Sequence, residues 1–261
     1  MCLIVFAWSP DTPQRLLLAA NRDEFHARPT RPLDVWAGLP WLIAGQDLES
    51  GGTWLGFTRN GRFAALTNFR DPARARAAAR SRGRLVLDFL AGQREARAYA
   101  RDAAAVAAGY NGFNLLLGDG RALWWVGHRN GEAPAVACLP PGIHAVSNHR
   151  PGTPWPKLVL ARDGLGDIMR TCRSGGPQYE ALFRMLLDRR PASDEALPDT
   201  GVGLERERQL SSVFVVGEEY GTRCSTIAEI SDGRLYVEER RFSPDGGVSG
   251  RTRVDLPVAG M

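Results

Sequence analysis

The sequence predicts an α+β fold, a four-layer αββα sandwich of two mainly antiparallel sheets. Three observations predict it. Segments of strand and helix character come in blocks, in the order strands, helices, strands, helices, strands. Most strand candidates are joined by tight turns, which makes their pairing antiparallel. The helical segments come in pairs, so two stacked sheets with a helix pair outside each bury every element. At 261 residues, with no repeat or linker to divide it, the chain reads as a single domain.

Residues 2–8 and 15–20 are apolar runs that read as strands, parted by the turn Ser9-Pro10-Asp11-Thr12-Pro13. Residues 26–40 carry Pro29, Pro32 and Gly38. The prolines argue against helix there, and a long functional loop is expected. Residues 51–68 read as a hairpin turning at Asn60-Gly61. Residues 70–84 hold six arginines against one aspartate, and a solvated helix or loop is favoured over an anion clamp. Residues 84–108 read as two helices around Gly92, on the stripe Leu85, Val86, Phe89, Leu90 and the alanines that follow Arg94. A second hairpin, 113–118 with 122–126, turns at Asp119-Gly120. Short strands follow at 136–139 and 143–146. Helices are expected from Trp155-Pro156-Lys157 to about Cys172, and over 179–187. Residues 191–209 read as irregular. Three strands, 212–216, 223–230 and 234–239, close the fold.

Hydrophobic residues make up 44% and charged residues 24%, ordinary for a globular protein, and no apolar stretch has membrane-spanning length. The first apolar run has no basic leader and is broken at Ser9-Pro10, so a cytoplasmic protein is expected. Net charge is +4, carried almost wholly by arginine, with Lys157 the single lysine. The basic residues interleave with acids and form no nucleic-acid motif. The four cysteines, Cys2, Cys138, Cys172 and Cys224, and the four histidines show no metal-ligand spacing, so no metal and no required cofactor are expected.

The chemistry concentrates near the start. Cys2 opens the first strand, and the second runs into Asn21-Arg22-Asp23-Glu24. In an antiparallel pair those ends lie side by side. Removal of Met1 leaves a cysteine with both a thiol, pKa ~8.5, and an α-amine, pKa ~7.7–8.0, matched as nucleophile and base near neutral pH. Arg22 is a cation that favours thiolate, and Asp23 is placed to orient the amine or a substrate amide. Asn68 and Asn148 sit where strands give way to loops, as oxyanion donors or as turn residues. His149 and Arg223 are further candidates for the same pocket.

The segments Met-Cys-Leu-Ile at 1–4, Asn-Arg-Asp-Glu-Phe at 21–25, Gly-Gly-Thr-Trp-Leu-Gly at 51–56, Thr-Asn-Phe-Arg at 67–70, Ser-Asn-His at 147–149 with Thr-Pro-Trp-Pro-Lys at 153–157, and Tyr-Gly-Thr-Arg at 220–223 resemble the NRDE family, also called the transport and Golgi organisation family. The resemblance spans nearly the whole chain. It implies a role in haem trafficking or in lipid or acyl-CoA homeostasis. The chain is also distantly similar to the choloylglycine hydrolase and penicillin V acylase group of N-terminal-nucleophile hydrolases. That likeness implies an N-terminal-nucleophile-hydrolase-like αββα fold and an amidase site at Cys2, Arg22, Asp23, Asn68 and Asn148. Two features depart from that group. Its arginine in a Ser-Arg-Phe context is replaced by Ser212-Val213-Phe214, with Arg223 a possible substitute. Arg22 and Asp23 are adjacent, which on one strand directs them to opposite faces.

Two readings follow. In the first, Cys2 attacks an amide or thioester, its α-amine moves the proton, and Asn68 with Asn148 holds the oxyanion. In the second, the protein carries haem or an acyl ligand. Trp8, Trp36, Trp54 and Phe69 would then be apolar walls, and Arg22 or Arg70 would grip a carboxylate or phosphate. Asn21, Glu24 and His149 complete the expected ligand contacts. Either way the partner is a small molecule with an acyl or carboxylate group, or haem.

Overall fold

The computed structural model describes residues 2–77, 79–172 and 174–258. Six strands precede the first helices: β1 (Cys2–Trp8), β2 (Gln14–Phe25), β3 (Thr30–Trp36), β4 (Leu39–Asp47), β5 (Leu55–Thr58) and β6 (Phe63–Asn68). Helices α1 (Gly83–Ala91) and α2 (Ala96–Ala105) follow. Then come β7 (Phe113–Gly118), β8 (Leu123–His128), β9 (Ala135–Cys138) and β10 (Gly142–Val146). Helices α3 (Pro156–Thr171), α4 (Gly176–Leu186) and α5 (Leu204–Ser211) lead to β11 (Tyr220–Ser231), β12 (Arg234–Phe242) and β13 (Val248–Pro257).

These strands form two sheets, antiparallel at every pairing. One has the order β10-β1-β2-β11-β12-β13 and the other β3-β4-β5-β6-β7-β8-β9. Alternation along each strand assigns its side chains to layers. On β1 and β2, Ile4, Phe6, Trp8, Leu16 and Leu18 meet Phe57, Phe63 and Leu116 of the other sheet in the central core. Leu3, Val5, Leu17 and Ala19 point the other way, against Leu158 and Leu165 of α3 and Leu182 and Phe183 of α4. Helices α1 and α2 cover the outer face of the second sheet through Leu85, Val86, Phe89 and Ala100. The result is the α+β, four-layer αββα sandwich that the sequence predicts. Among the described residues no helix is long and apolar enough to cross a membrane.

Four segments differ from the sequence reading. Residues 26–40 are not one long loop: they contain β3 and the start of β4. Proline forbids an interior ladder bond but not an edge position, and β3 is the edge strand, with Pro32 inside a break in its register between Arg31 and Asp34. The stretch 191–209 contains helix α5, whose Leu210 is buried while Leu204 and Glu205 are exposed. Its mostly charged sequence hides that narrow apolar stripe. Residues 212–216 are not a strand, although Val213, Phe214 and Val215 are all buried. They run beside Thr222 of β11 outside the strand ladders, held by the Phe214 amide donating to Asp188 O (2.8 Å) and the Val215 amide donating to Thr222 Oγ1 (2.9 Å). Strand β13 was not anticipated. It is an edge strand with exposed Arg251, Arg253 and Asp255, and only Val254 and Leu256 turn to the core.

Beside the site, the segment leading into β5 meets the start of α1 in a tight contact. Gly52, before β5, lies against Gly83 at the start of α1, and the Thr53 amide donates to Gly83 O (3.2 Å). A Cβ on Gly52 would come within 2.5 Å of the Gly83 carbonyl carbon, and backbone on both sides has no room to yield. Gly52→Ala is therefore expected to cost about 1–3 kcal/mol, measured as a lower urea midpoint at unchanged m-value. Unchanged stability would show that the two backbones are free to separate.

Candidate active site

Cys2 pairs with Arg22 across β1 and β2. In the same register the Ser9 amide donates to Arg15 O, so hydrogen-bonded pairs fall on the odd residues of β1. Cys2 and Arg22 are then a non-hydrogen-bonded pair, the type whose side chains lie closest. Both follow Ile4 and Ala20 onto the inner side of the sheet. The Cys2 carbonyl accepts a hydrogen bond from Ser147 Oγ (2.9 Å), which ties the start of β1 to the end of β10.

The half-buried thiol opens on a cleft of about 220 Å3, whose walls include Arg22, Asp23, Glu24, Trp54 and Asn68. Arg22 is 6% exposed. Its guanidinium stacks over the Trp54 ring, 4.2 Å from the centroid, and Nη2 lies 4.0 Å from Glu24 Oε2. Its Nη1 makes no hydrogen bond among the described residues. Asp23 sits on the other face of β2, where its Oδ1 accepts from Thr222 Oγ1 (2.8 Å). The pairing of β2 with β11 shifts between Thr222 and Cys224. Such a bulge adds local twist, and here both neighbours border the cleft although strand alternation sends them opposite ways.

The remaining expected residues divide. Asn68 lines the cleft. Asn148 does not: it is fully buried, its Nδ2 donates to Asn68 O (2.9 Å) and its Oδ1 accepts from Ser147 Oγ (3.1 Å). It holds the end of β6 in place. Arg70 turns away from the thiol and pairs with Glu207 at 2.6 Å, both side chains 4% exposed, with Trp155 under its guanidinium (4.9 Å). His149 is sandwiched between Phe69 and Trp155, with ring centroids 4.9 and 5.6 Å away, so Phe69 and His149 brace this second layer. Asn21 donates to Leu186 O (2.9 Å) and Val213 O (2.8 Å) and faces the helices. Arg223 is the extra residue of the bulge. Its Nη1 donates to Phe25 O and Arg28 O, both 2.9 Å, and it borders a separate cavity on the far side of Arg22 and Trp54. Of the proposed apolar walls only Trp54 reaches the cleft: Trp8 is in the central core and Trp36 lines a third cavity.

The sequence reading missed part of the rim. Arg28, held to Asp47 (2.7 Å) and Glu49 (3.1 Å), borders the cleft, as do Arg80 and Arg82. The arginine-rich segment is thus not solvated throughout, since its last turn before α1 faces the thiol. Lys157, a helix-start residue and the last of the Thr-Pro-Trp-Pro-Lys segment, is 3% exposed. Its signal was available: it is the single lysine in the chain.

Burial dominates the electrostatics. It pushes the Cys2 thiol above its ordinary pKa, with Asp23 and Glu24 adding to the rise and Arg22 opposing it. Burial also raises Asp23, against the pull of Lys157, and lowers Lys157 to about 8, against Asp23. Met1, on whose removal the amine depends, lies outside the described residues.

Residues 1–244 match the family described as Transport and Golgi organisation 2. The chain is 36% identical over 260 residues to the Bos taurus Transport and Golgi organization protein 2 homolog, covering 92% of each chain. It is 35% identical to the Homo sapiens homolog, again with 92% of each covered. Among solved structures it is similar to a mutant of the conjugated bile acid hydrolase from Clostridium perfringens, with TM-score 0.55 at 8% identity over 98% of this chain and 92% of that one. At that identity the likeness is one of fold.

Two outcomes test this arrangement. Glu207→Ala removes the carboxylate paired with the buried Arg70 and is expected to cost about 3–5 kcal/mol in chemical denaturation; a loss below about 1 kcal/mol would mean that the pair is not buried as described. Iodoacetamide labelling of Cys2, followed on its peptide, should titrate above ~8.5. Glu24→Gln should lower that midpoint and Arg22→Leu raise it. A midpoint at or below the ordinary value would contradict a burial-dominated thiol.

Proposed function

Because the chain belongs to the Transport and Golgi organisation 2 family and shares its fold with a conjugated bile acid hydrolase, we propose that it is a hydrolase or acyl transferase in which Cys2, freed by removal of Met1, is the nucleophile at a C–N amide or thioester bond. The observation that carries this reading is the convergence of the Cys2 thiol, the Arg22 guanidinium and Asn68 on one cleft. The α-amine takes the thiol proton, and sulfur bonds to the substrate carbonyl carbon as the carbonyl electron pair moves to oxygen. The Asn68 amide and Arg22 Nη1 stabilise that oxyanion. Collapse expels the amine or thiol, which leaves with the proton held by the α-ammonium. Water, or an acceptor, then attacks the acyl-cysteine by the same steps and regenerates Cys2. Asn148 acts on Asn68 rather than on substrate.

The cleft also suggests what kind of group enters. At about 220 Å3 it is smaller than the ~300–1,000 Å3 of sites that enclose a drug-sized ligand. It suits the reacting carbonyl and one anionic group, with the rest of the substrate outside. Arg80 and Arg82 on the rim are suited to a carboxylate or phosphate, which guanidinium binds through paired hydrogen bonds.

A second reading, a non-catalytic carrier of haem or an acyl ligand, is favoured by one observation: burial pushes the Cys2 thiol up, which makes thiolate scarce at neutral pH. Cys2→Ser assayed on a panel of N-acyl amides and acyl thioesters separates the two. The enzyme reading expects a loss of roughly 10³-fold or more. Turnover that survives the change removes Cys2 as nucleophile. Saturable haem binding by a wild-type protein that turns over nothing on the panel selects the carrier.

A further inference from the structure

Arg22 and Trp54 border a second cavity besides the cleft, of about 110 Å3. One row of the first sheet builds it. Arg22 of β2 pairs with Cys224 of β11, Cys224 with Arg241 of β12, and Arg241 with Gly250 of β13. Residues directly opposite in antiparallel strands share a face. Arg22 and Arg241 therefore point inward on either side of the short Cys224 side chain, with their Cα atoms about 10 Å apart at about 5 Å per pair. Gly250 gives the second guanidinium its room, since a Cβ there would come within 2.5 Å of Arg241 Nη2. Arg223, the extra residue of the bulge, and Arg31 of β3 bring two more guanidiniums to the lining.

Against these four guanidiniums the described lining has one carboxylate, Glu239. Glu239 is 2% exposed, and its Oε1 accepts from the Leu33 amide (3.0 Å), inside the register break of β3, and from Arg241 Nη1 (3.3 Å). It ties the edge strand to β12. Arg22 is 6% exposed, and its Nη1 makes no hydrogen bond among the described residues. We propose that this cavity is a phosphate-binding site held by Arg22, Arg223 and Arg241. A guanidinium has five N–H donors, so Arg22 can face both the cleft and this cavity. Guanidinium pairs with phosphate through parallel N–H···O bonds. The three arginines come from three strands. A tetrahedral dianion accepts from several directions and answers several charges, whereas a carboxylate is a planar monoanion. The volume is about that of four waters at ~30 Å3 each, enough for a phosphate group and below the ~300–1,000 Å3 of a drug-sized ligand site. The exposed Arg31 and Pro32 line both this cavity and a larger one of about 550 Å3 that Val35 and Trp36 border. The organic part of a phosphate ester would leave by that route, while free phosphate would not use it. The inference does not depend on Cys2 being a nucleophile.

The test is calorimetric titration of the full chain with inorganic phosphate. The ionic strength is about 0.15 M, where exposed charges more than about 8 Å apart are largely screened. Ser249 is an exposed residue of the lining, so its substitution leaves the core packing alone. Ser249→Glu should weaken phosphate binding and Ser249→Lys should tighten it, each by about two- to fivefold. Arg241→Met should weaken it at least about tenfold. Should Arg241→Met fail to fold, the two Ser249 variants decide alone. A wild-type chain that takes up no phosphate at millimolar concentration overturns the proposal. So does phosphate binding that neither Ser249 variant alters, because the ion is then held elsewhere, as among the arginines of the cleft rim. Phenyl phosphate, titrated in parallel, separates the two sources of the group. Tighter binding than inorganic phosphate, weakened again by Ser249→Glu, upholds the site as one for a phosphate ester. Equal or weaker binding of the ester, with the Ser249 effects on inorganic phosphate intact, upholds it as one for the free ion.

Discussion

The site depends on one cross-strand pair, Cys2 opposite Arg22. Register is set by the core: Ile4, Phe6 and Trp8 on β1 and Leu16, Leu18 and Ala20 on β2 all turn inward. A slip of one residue would send the whole set to the helices. The same alternation carries the thiol and the guanidinium inward at the sheet end, where apolar packing gives out. Arg22 then stacks on Trp54, so a residue of the first sheet is capped by the segment leading into β5 of the second. The cleft exists because the two sheets meet there through polar side chains instead of a packed core.

The adjacency of Arg22 and Asp23 becomes a division between layers. Arg22 faces the cleft, while Asp23 faces Thr222 and the helix layer. Asp23, Lys157, Arg70 and Glu207, from β2, α3, the loop after β6 and α5, are all buried, and Arg70 pairs with Glu207 at 2.6 Å. Buried ion pairs are poor sources of stability. The Arg70–Glu207 pair, over Trp155, holds the segment after β6 to α5.

Much of the architecture was legible because it rests on period and turn chemistry. Asn60-Gly61 and Asp119-Gly120 mark hairpins, and the stripe from Leu85 to Leu90 marks α1. The meeting of Cys2 with Arg22 followed from strand pairing alone. What escaped has physical causes. Pro32 reads as a breaker because sequence does not say which strand lies at an edge. Arg80 and Arg82 carry no periodicity that would separate a rim from a solvated run. Asn148 and Arg70 were placed near the site, but their side chains are committed to Asn68 O and Glu207. Such partners are distant in sequence and fixed only by the tertiary fold. Arg223 was misplaced by a single-residue bulge, which reverses the face of everything beyond it.

The proposed function requires Cys2 to form a covalent acyl intermediate in this cleft. Its most direct measurement is intact-mass spectrometry of the protein quenched in acid within milliseconds of mixing with an activated acyl thioester, with peptide mapping of the product. The expected product is a chain lacking Met1 that gains one acyl group, on Cys2, and loses it again as the reaction proceeds. A chain that keeps Met1, or that lacks Met1 and stays unmodified at Cys2 while thioester is consumed, would contradict it.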